Sequence, residues 1–148
     1  MESYLDFAEN DFQFFQQCYD AGFVANAMAV LAQEICEKYL KHIIVVLAKP
    51  KNQLEEAIKE IALKTHSLIK LIRFLKIDLK ITIPEDVEVS LRLINNYRSS
   101  MVCPGNDAFF ADAEDIERAE VAVRSTRQFI YNTLIKAGKN VTANTKIW

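Results

Sequence analysis

Glycine and proline are scarce in this sequence, with three of each among 148 residues. Together they make about 4% of the chain, where about 12% is usual. Sandwiches, barrels and propellers need many tight turns, which these two residue types commonly form. The scarcity therefore argues against these β architectures and predicts long helices joined by few loops. One domain is expected, since domains average about 150 residues.

Signals for export, membrane insertion and disulfides are also missing. The chain has no apolar run of 18 residues that would span a membrane, and no basic-then-apolar leader at its start. Cys18, Cys36 and Cys103 are odd in number and far apart, which predicts reduced thiols and no zinc site. The sequence thus predicts a cytoplasmic protein that makes no membrane contact.

No metal and no cofactor are expected. Di-iron bundles need Glu-x-x-His pairs, and neither His42 nor His66 has a Glu three residues earlier. Three glycines are too few for a phosphate-binding glycine loop as well as the turns of the fold. His66 is predicted to be a buried structural residue on a helix seam, and His42 to lie at the surface.

The hydrophobic pattern predicts helices throughout. Apolar residues recur at spacings of three and four, which is typical of amphipathic helices. The predicted helices cover about 3–19, 23–47, 54–75, 84–101 and 113–138. The third has the clearest period, from Leu54 to Leu75, and Asp112 is the expected N-cap of the fifth. The expected fold is an all-α, antiparallel up-and-down bundle of four long helices and one shorter helix, at 1–138, followed by a tail at 139–148.

Charge is unevenly distributed along the chain. Residues 1–37 carry a formal charge of −7, residues 38–80 carry +6 and residues 81–148 carry −1. The basic block could form a phosphate-facing surface. Alternatively, neighbouring helices of opposite charge simply attract one another.

Polar residues form one stripe on the second predicted helix. Asn26, Gln33, Glu37 and Lys41 follow each other at spacings of seven, four and four. Glu37 and Lys41 are also a favourably oriented i,i+4 pair, as are Glu34 and Lys38. The stripe indicates either a solvated helix face or one wall of a polar groove.

A single arginine stands out near the end of the fourth predicted helix. Arg98 lies among small polar residues, Asn95, Asn96, Ser99 and Ser100. A guanidinium in such a position can bind phosphate through two parallel hydrogen bonds. The alternative is a surface arginine that interacts with the C-terminal end of its helix.

Three segments together resemble the HEPN family, the higher eukaryotes and prokaryotes nucleotide-binding domain. The segment Gln33 to Lys41 is similar to the second-helix signature of the family, and Thr65 to Leu71 is similar to its Thr-His-x-Leu segment. Ala113 to Leu134 fits its last long helix, so the resemblance covers about 3–137. It implies a helical bundle that handles nucleotides or RNA, often dimerises, and pairs with a minimal nucleotidyltransferase in toxin–antitoxin operons.

The resemblance also identifies what is missing from this chain. Catalytic members are metal-independent RNases that carry an Arg, four to six residues, and then a His. Here Arg98 aligns with that Arg, but Cys103 occupies the His position and no His follows His66. Imidazole accepts and donates protons near neutral pH, whereas an ordinary thiol is mostly protonated at pH 7. In a second alignment, Tyr97 to Pro104 matches a noncatalytic subgroup, with Val102 where an Arg is expected.

The leading hypothesis is therefore a homodimeric accessory protein that binds a nucleotide or an RNA phosphate without cleaving it. The predicted binding residues are Arg98, Lys41, Lys38, Gln33 and Glu37. One alternative is a diverged RNase toxin that uses Arg98 with Cys103 or another group. A pure dimerisation scaffold is the other.

Overall fold

The structure, a computed structural model, describes residues 2–102, 104–105, 108–139 and 141. Its helices are α1 Tyr4–Asp20, α2 Asn26–Leu47, α3 Gln53–Lys64, α4 Leu68–Arg73, α5 Glu85–Ile94, α6 Tyr97–Met101 and α7 Ala113–Lys136. A π-helical turn, Phe74–Asp78, continues α4. The predicted all-helical bundle is confirmed. The described residues contain no strand, as expected for the connector before Pro84.

Helix α2 lies at the centre of the bundle. Its most extensive contacts are with α7 and α1, and α4 and α6 also contact it. Small residues on α2, Ala29, Ala32 and Cys36, are fully buried and let its neighbours approach closely. Large core side chains such as Phe15, Tyr39 and Leu40 fill the space between the helices.

The helix ends follow their local sequence signals. Ser3 and Asp112 each cap a helix in a reciprocal capping box, α1 with Asp6 and α7 with Asp115. Gly22 and Gly138 have positive φ angles of 81° and 71° just beyond α1 and α7, a backbone conformation that glycine adopts without steric cost.

The prediction of one continuous third helix was wrong. Helix α3 ends at Lys64, and a new helix begins at Leu68 with Ser67 as its N-cap. Leu54 and Ile61 of the predicted seam are 71% and 68% exposed, so only the Leu68, Ile72 and Leu75 part of the seam reaches the core. The fourth predicted helix is likewise divided, into α5 and α6, at Asn95 and Asn96.

Both histidine expectations were also wrong. His42 is buried on α2, at 8% exposure, because the face of α2 that carries it is covered. His66 lies in the break between α3 and α4, where its side chain is 58% exposed. The predicted tail lies outside the described residues except at 139 and 141. Among the described residues, no helix has the length and apolar character needed to cross a membrane.

Candidate functional site

A buried glutamine of α2 joins two other parts of the bundle. Gln33 is 1% exposed, and its Oε1 accepts a hydrogen bond from the Arg98 backbone N–H at 2.8 Å. Its Nε2 donates to the His66 backbone carbonyl at 3.1 Å. A buried amide that uses both ends in this way is well satisfied. Gln33 therefore fixes the positions of Arg98 and His66 relative to α2.

Arg98 and His66 line the same surface cleft. The cleft has a volume of about 660 Å³, and its walls include Gln33, Glu34 and Asn95. Asn95 Oδ1 accepts a hydrogen bond from the Leu68 backbone N–H at 2.8 Å, which ties the start of α4 to the turn before α6. The cleft is thus formed by α2, by the α3–α4 break and by α6.

The Arg98 guanidinium is partly engaged and partly accessible. Its Nη1 lies 3.3 Å from Glu34 Oε1, and the side chain remains 40% exposed. An arginine has five N–H donors in a planar fork, so this one bond leaves donors for an anion. Glu34 holds the side chain at the cleft and also competes with any anion that enters it.

Glu37 lies beneath the cleft and contacts two basic side chains, His66 and Lys41. Its Oε2 is 3.2 Å from His66 Nδ1 and 3.7 Å from Lys41 Nζ. Burial raises the pKa of Glu37, and the nearby His66, Lys41 and Arg98 oppose that rise. Burial also disfavours the charged form of Lys41 and so lowers its pKa, whereas the attraction of Glu37 acts to raise it.

The structure brings most of the predicted site residues together, but at different depths. Arg98 and Gln33 line the cleft, whereas Glu37 and Lys41 are buried beneath it at 4% and 6% exposure. These burials show that Gln33, Glu37 and Lys41 do not form a solvated face. Lys38 forms an ion pair with Asp11 of α1. Cys103 lies outside the described residues.

Pairing between helices accounts for part of the basic block. Lys38 pairs with Asp11 of the acidic first segment, and Lys76 pairs with Glu88 of α5 at 2.9 Å. These contacts match the alternative in which oppositely charged helices attract one another.

Sequence reasoning did not place His66 and Glu34 beside Arg98. The signal for His66 was Ser67, a residue type that caps helices and competes with helical hydrogen bonding. The Ser67 side chain accepts a hydrogen bond from the Lys70 backbone N–H at 3.2 Å. This bond marks the start of a helix inside a hydrophobic pattern that looks continuous. Glu34 gave no such signal, because its partner lies 64 positions further along the chain.

The fold and the cleft define a small helical bundle with a polar site between its helices. A family model for the HEPN domain matches residues 1–134. The chain therefore belongs to the HEPN domain family. No curated protein and no solved structure matched the chain in the corresponding searches.

Proposed function

We propose that the chain binds the phosphate of a nucleotide or of an RNA strand in the Arg98 cleft, without cleaving it. The observation that carries the proposal is the pair of hydrogen bonds from the Gln33 side chain to the Arg98 N–H and the His66 carbonyl, which we call the Gln33 clamp. The two residues that it holds bring a guanidinium and an imidazole to one cleft. Membership of the HEPN family supports a nucleotide-related or RNase-type function in general. The absence of His from the Arg98 motif favours binding over cleavage.

Partners and location belong to the same proposal. HEPN domains commonly dimerise, and a homodimer in the cytoplasm is the expected form. A minimal nucleotidyltransferase, as in toxin–antitoxin operons, is the proposed partner. Co-expression with the product of a neighbouring reading frame tests this part. If no such reading frame exists, the proposed partner is wrong, and the proposal of a phosphate-binding site is unaffected.

The test of the binding site uses calorimetric titration with ATP and with a ten-residue oligouridylate. Charge-assisted hydrogen bonds contribute about 1.5–3 kcal/mol, so Arg98→Ala is expected to weaken binding about tenfold or more. Arg118→Ala is the matched control, because Arg118 is also about half exposed and bonded to a glutamate, Glu114, but on α7. Equal affinity of the parent protein and Arg98→Ala would contradict the proposal. If neither probe binds, the dimerisation scaffold is the remaining function.

One observation favours RNA cleavage as a second candidate function. His66 offers an imidazole in the Arg98 cleft, although it comes from another part of the chain than the family motif. In such a reaction the RNA 2′-oxygen attacks phosphorus and loses its proton to a base, and the bond to the 5′-oxygen breaks as that oxygen gains a proton. The products are a 2′,3′-cyclic phosphate and a 5′-hydroxyl.

The two functions are distinguished by incubating RNA with the parent protein, Arg98→Ala, His66→Gln and Cys103→Ser in the presence of a chelator. Cleavage that needs both Arg98 and His66 and yields a cyclic phosphate would establish an RNase. Dependence on Cys103 would assign the proton transfer to the thiol. Binding without cleavage would support the accessory role.

A further inference from the structure

A second cleft adjoins the Arg98 cleft along α6. It has a volume of about 270 Å³ and includes Ser100, Met101, Phe109 and Phe110 in its walls. Val102 lines both clefts, so the two clefts are neighbours. The described walls of the second cleft carry no charged side chain, in contrast to the first.

Phe110 is the most exposed large apolar side chain of the described residues, at 92% exposure. Burial of a phenylalanine ring is strongly favourable, so a ring left this open is available to a partner. An isolated exposed ring would carry little meaning. This one lines a cleft that shares Val102 with the Arg98 cleft.

The segment that carries Phe110 is fixed on both sides. Asn26 Oδ1 accepts from the Ala111 backbone N–H at 2.6 Å, and its Nδ2 donates to the Met101 and Phe109 carbonyls, each at 3.2 Å. The Phe109 backbone N–H donates to the Ser100 carbonyl at 3.2 Å. The Phe109 ring also packs edge-on against Tyr97, with centroids 6.4 Å apart. Phe110 is therefore presented by an ordered backbone, which lowers the entropy lost on binding.

We propose that the second cleft takes an unpaired nucleobase, stacked on the Phe110 ring, of the same ligand whose phosphate binds at Arg98. This inference rests on the proposed function, since it places the base of that ligand. A cleft whose described walls carry no charged side chain, beside a cleft that holds an arginine, matches the two chemically different halves of a nucleotide. The Asn26 amide is already used by three backbone groups, so stacking dominates and little preference among bases is expected.

The experiment compares ligands that share phosphates but differ in the base. ATP and ribose 5-triphosphate represent a free nucleotide, while a ten-residue oligouridylate and the same strand made abasic represent RNA. Phe110→Ala is expected to weaken binding of the base-bearing ligands by about five- to one-hundredfold and to leave the abasic ligands unchanged. Phe110→Trp is expected to retain binding. Phe14→Ala is the matched control, because Phe14 is 57% exposed on α1.

The outcomes separate this inference from the proposed function. If Arg98→Ala weakens every ligand but Phe110→Ala weakens none, the base site is wrong and the phosphate site remains. If no ligand binds the parent protein, both are wrong. If Phe110→Ala instead converts a dimer to a monomer in sedimentation, Phe110 contacts a second copy and the base site is overturned. If Phe110→Ala weakens binding of ATP alone, the base belongs to a free nucleotide; if it weakens binding of the oligouridylate alone, the base belongs to RNA.

Discussion

The side chain of Glu34 limits the access of an anion to the Arg98 guanidinium. The two are 3.3 Å apart and each is partly exposed, so their attraction is weakened by solvent. An anion that enters the cleft must share or replace this contact. Glu34 therefore has a positioning effect on Arg98 and a repulsive effect on phosphate.

Removal of the Glu34 charge is expected to strengthen phosphate binding. Glu34→Gln keeps a side chain of similar shape but removes like-charge repulsion, and a gain of about two- to fivefold in ATP affinity follows. Titration at two salt concentrations measures it, with a smaller gain at high salt because of screening. Glu114→Gln, at the Arg118 pair, is the control and is expected to change nothing. Weaker binding in Glu34→Gln would show that the carboxylate contacts the ligand favourably.

His42 is expected to make folding pH-dependent. It is buried, its Nδ1 has no hydrogen-bond partner among the described residues, and burial lowers its pKa against the attraction of Asp6. The unfolded chain then takes up a proton near pH 6.5, whereas the folded chain does so only at lower pH. This group therefore lowers stability as pH falls below about 6.5, until its depressed folded pKa is passed.

Urea unfolding of the parent protein and His42→Gln at pH 7.5, 6.5 and 5.5 measures this contribution. Each pH unit within the window costs up to about 1.4 kcal/mol, so the parent should lose more stability than the variant on acidification. Parallel losses in the two proteins would mean that His42 titrates alike in the folded and unfolded chains.

At the scale of elements, periodicity predicted which segments are helical but not where they break. The spacing of apolar residues from Leu54 to Leu75 fits one long helix, and local pattern cannot distinguish a seam that faces the core from one that faces solvent. The break depends on the Ser67 cap and on Asn95, whose bond to Leu68 joins residues 27 positions apart. The Arg98 motif was visible in the sequence, but the position of His66 in the same cleft depends on that break.

The Gln33 clamp is expected to be needed both for the stability of the fold and for the site. Gln33→Leu fills the same space but leaves the Arg98 N–H and the His66 carbonyl unpaired, which costs about 1–3 kcal/mol for each group that water does not reach. Chemical denaturation measures this cost, and ATP titration under folding conditions should show weaker binding as well. Gln128→Leu is the control, since within the described part of the chain the Gln128 side chain bonds only to exposed Asn132 on its own helix. Full affinity in folded Gln33→Leu would show that the clamp is not required to position Arg98.

At the scale of the whole molecule, one buried carboxylate joins three helices. Glu9 of α1 is 5% exposed and accepts from the Tyr39 hydroxyl of α2 at 2.6 Å. The Arg127 guanidinium of α7 donates to both of its oxygens, at 2.8 and 2.9 Å, and also lies 4.7 Å from the centre of the Phe12 ring. The Glu9 contacts raise the pKa of Arg127, and burial raises that of Tyr39. Sequence pattern could not predict this junction, because Glu9 and Arg127 lie 118 positions apart.

Arg127→Lys is expected to destabilise the whole bundle. A lysine keeps the charge but cannot form two parallel bonds to one carboxylate, so buried Glu9 loses one of the two hydrogen bonds that the guanidinium donates. A loss of about 1.5–3 kcal/mol in unfolding free energy is expected, measured by urea denaturation. Arg118→Lys is the control on the same helix, because Arg118 also pairs with a glutamate, Glu114, whose side chain is 70% exposed. That change should cost less than about 0.5 kcal/mol. Equal losses in the two variants would show that the junction stabilises the fold no more than a surface ion pair does.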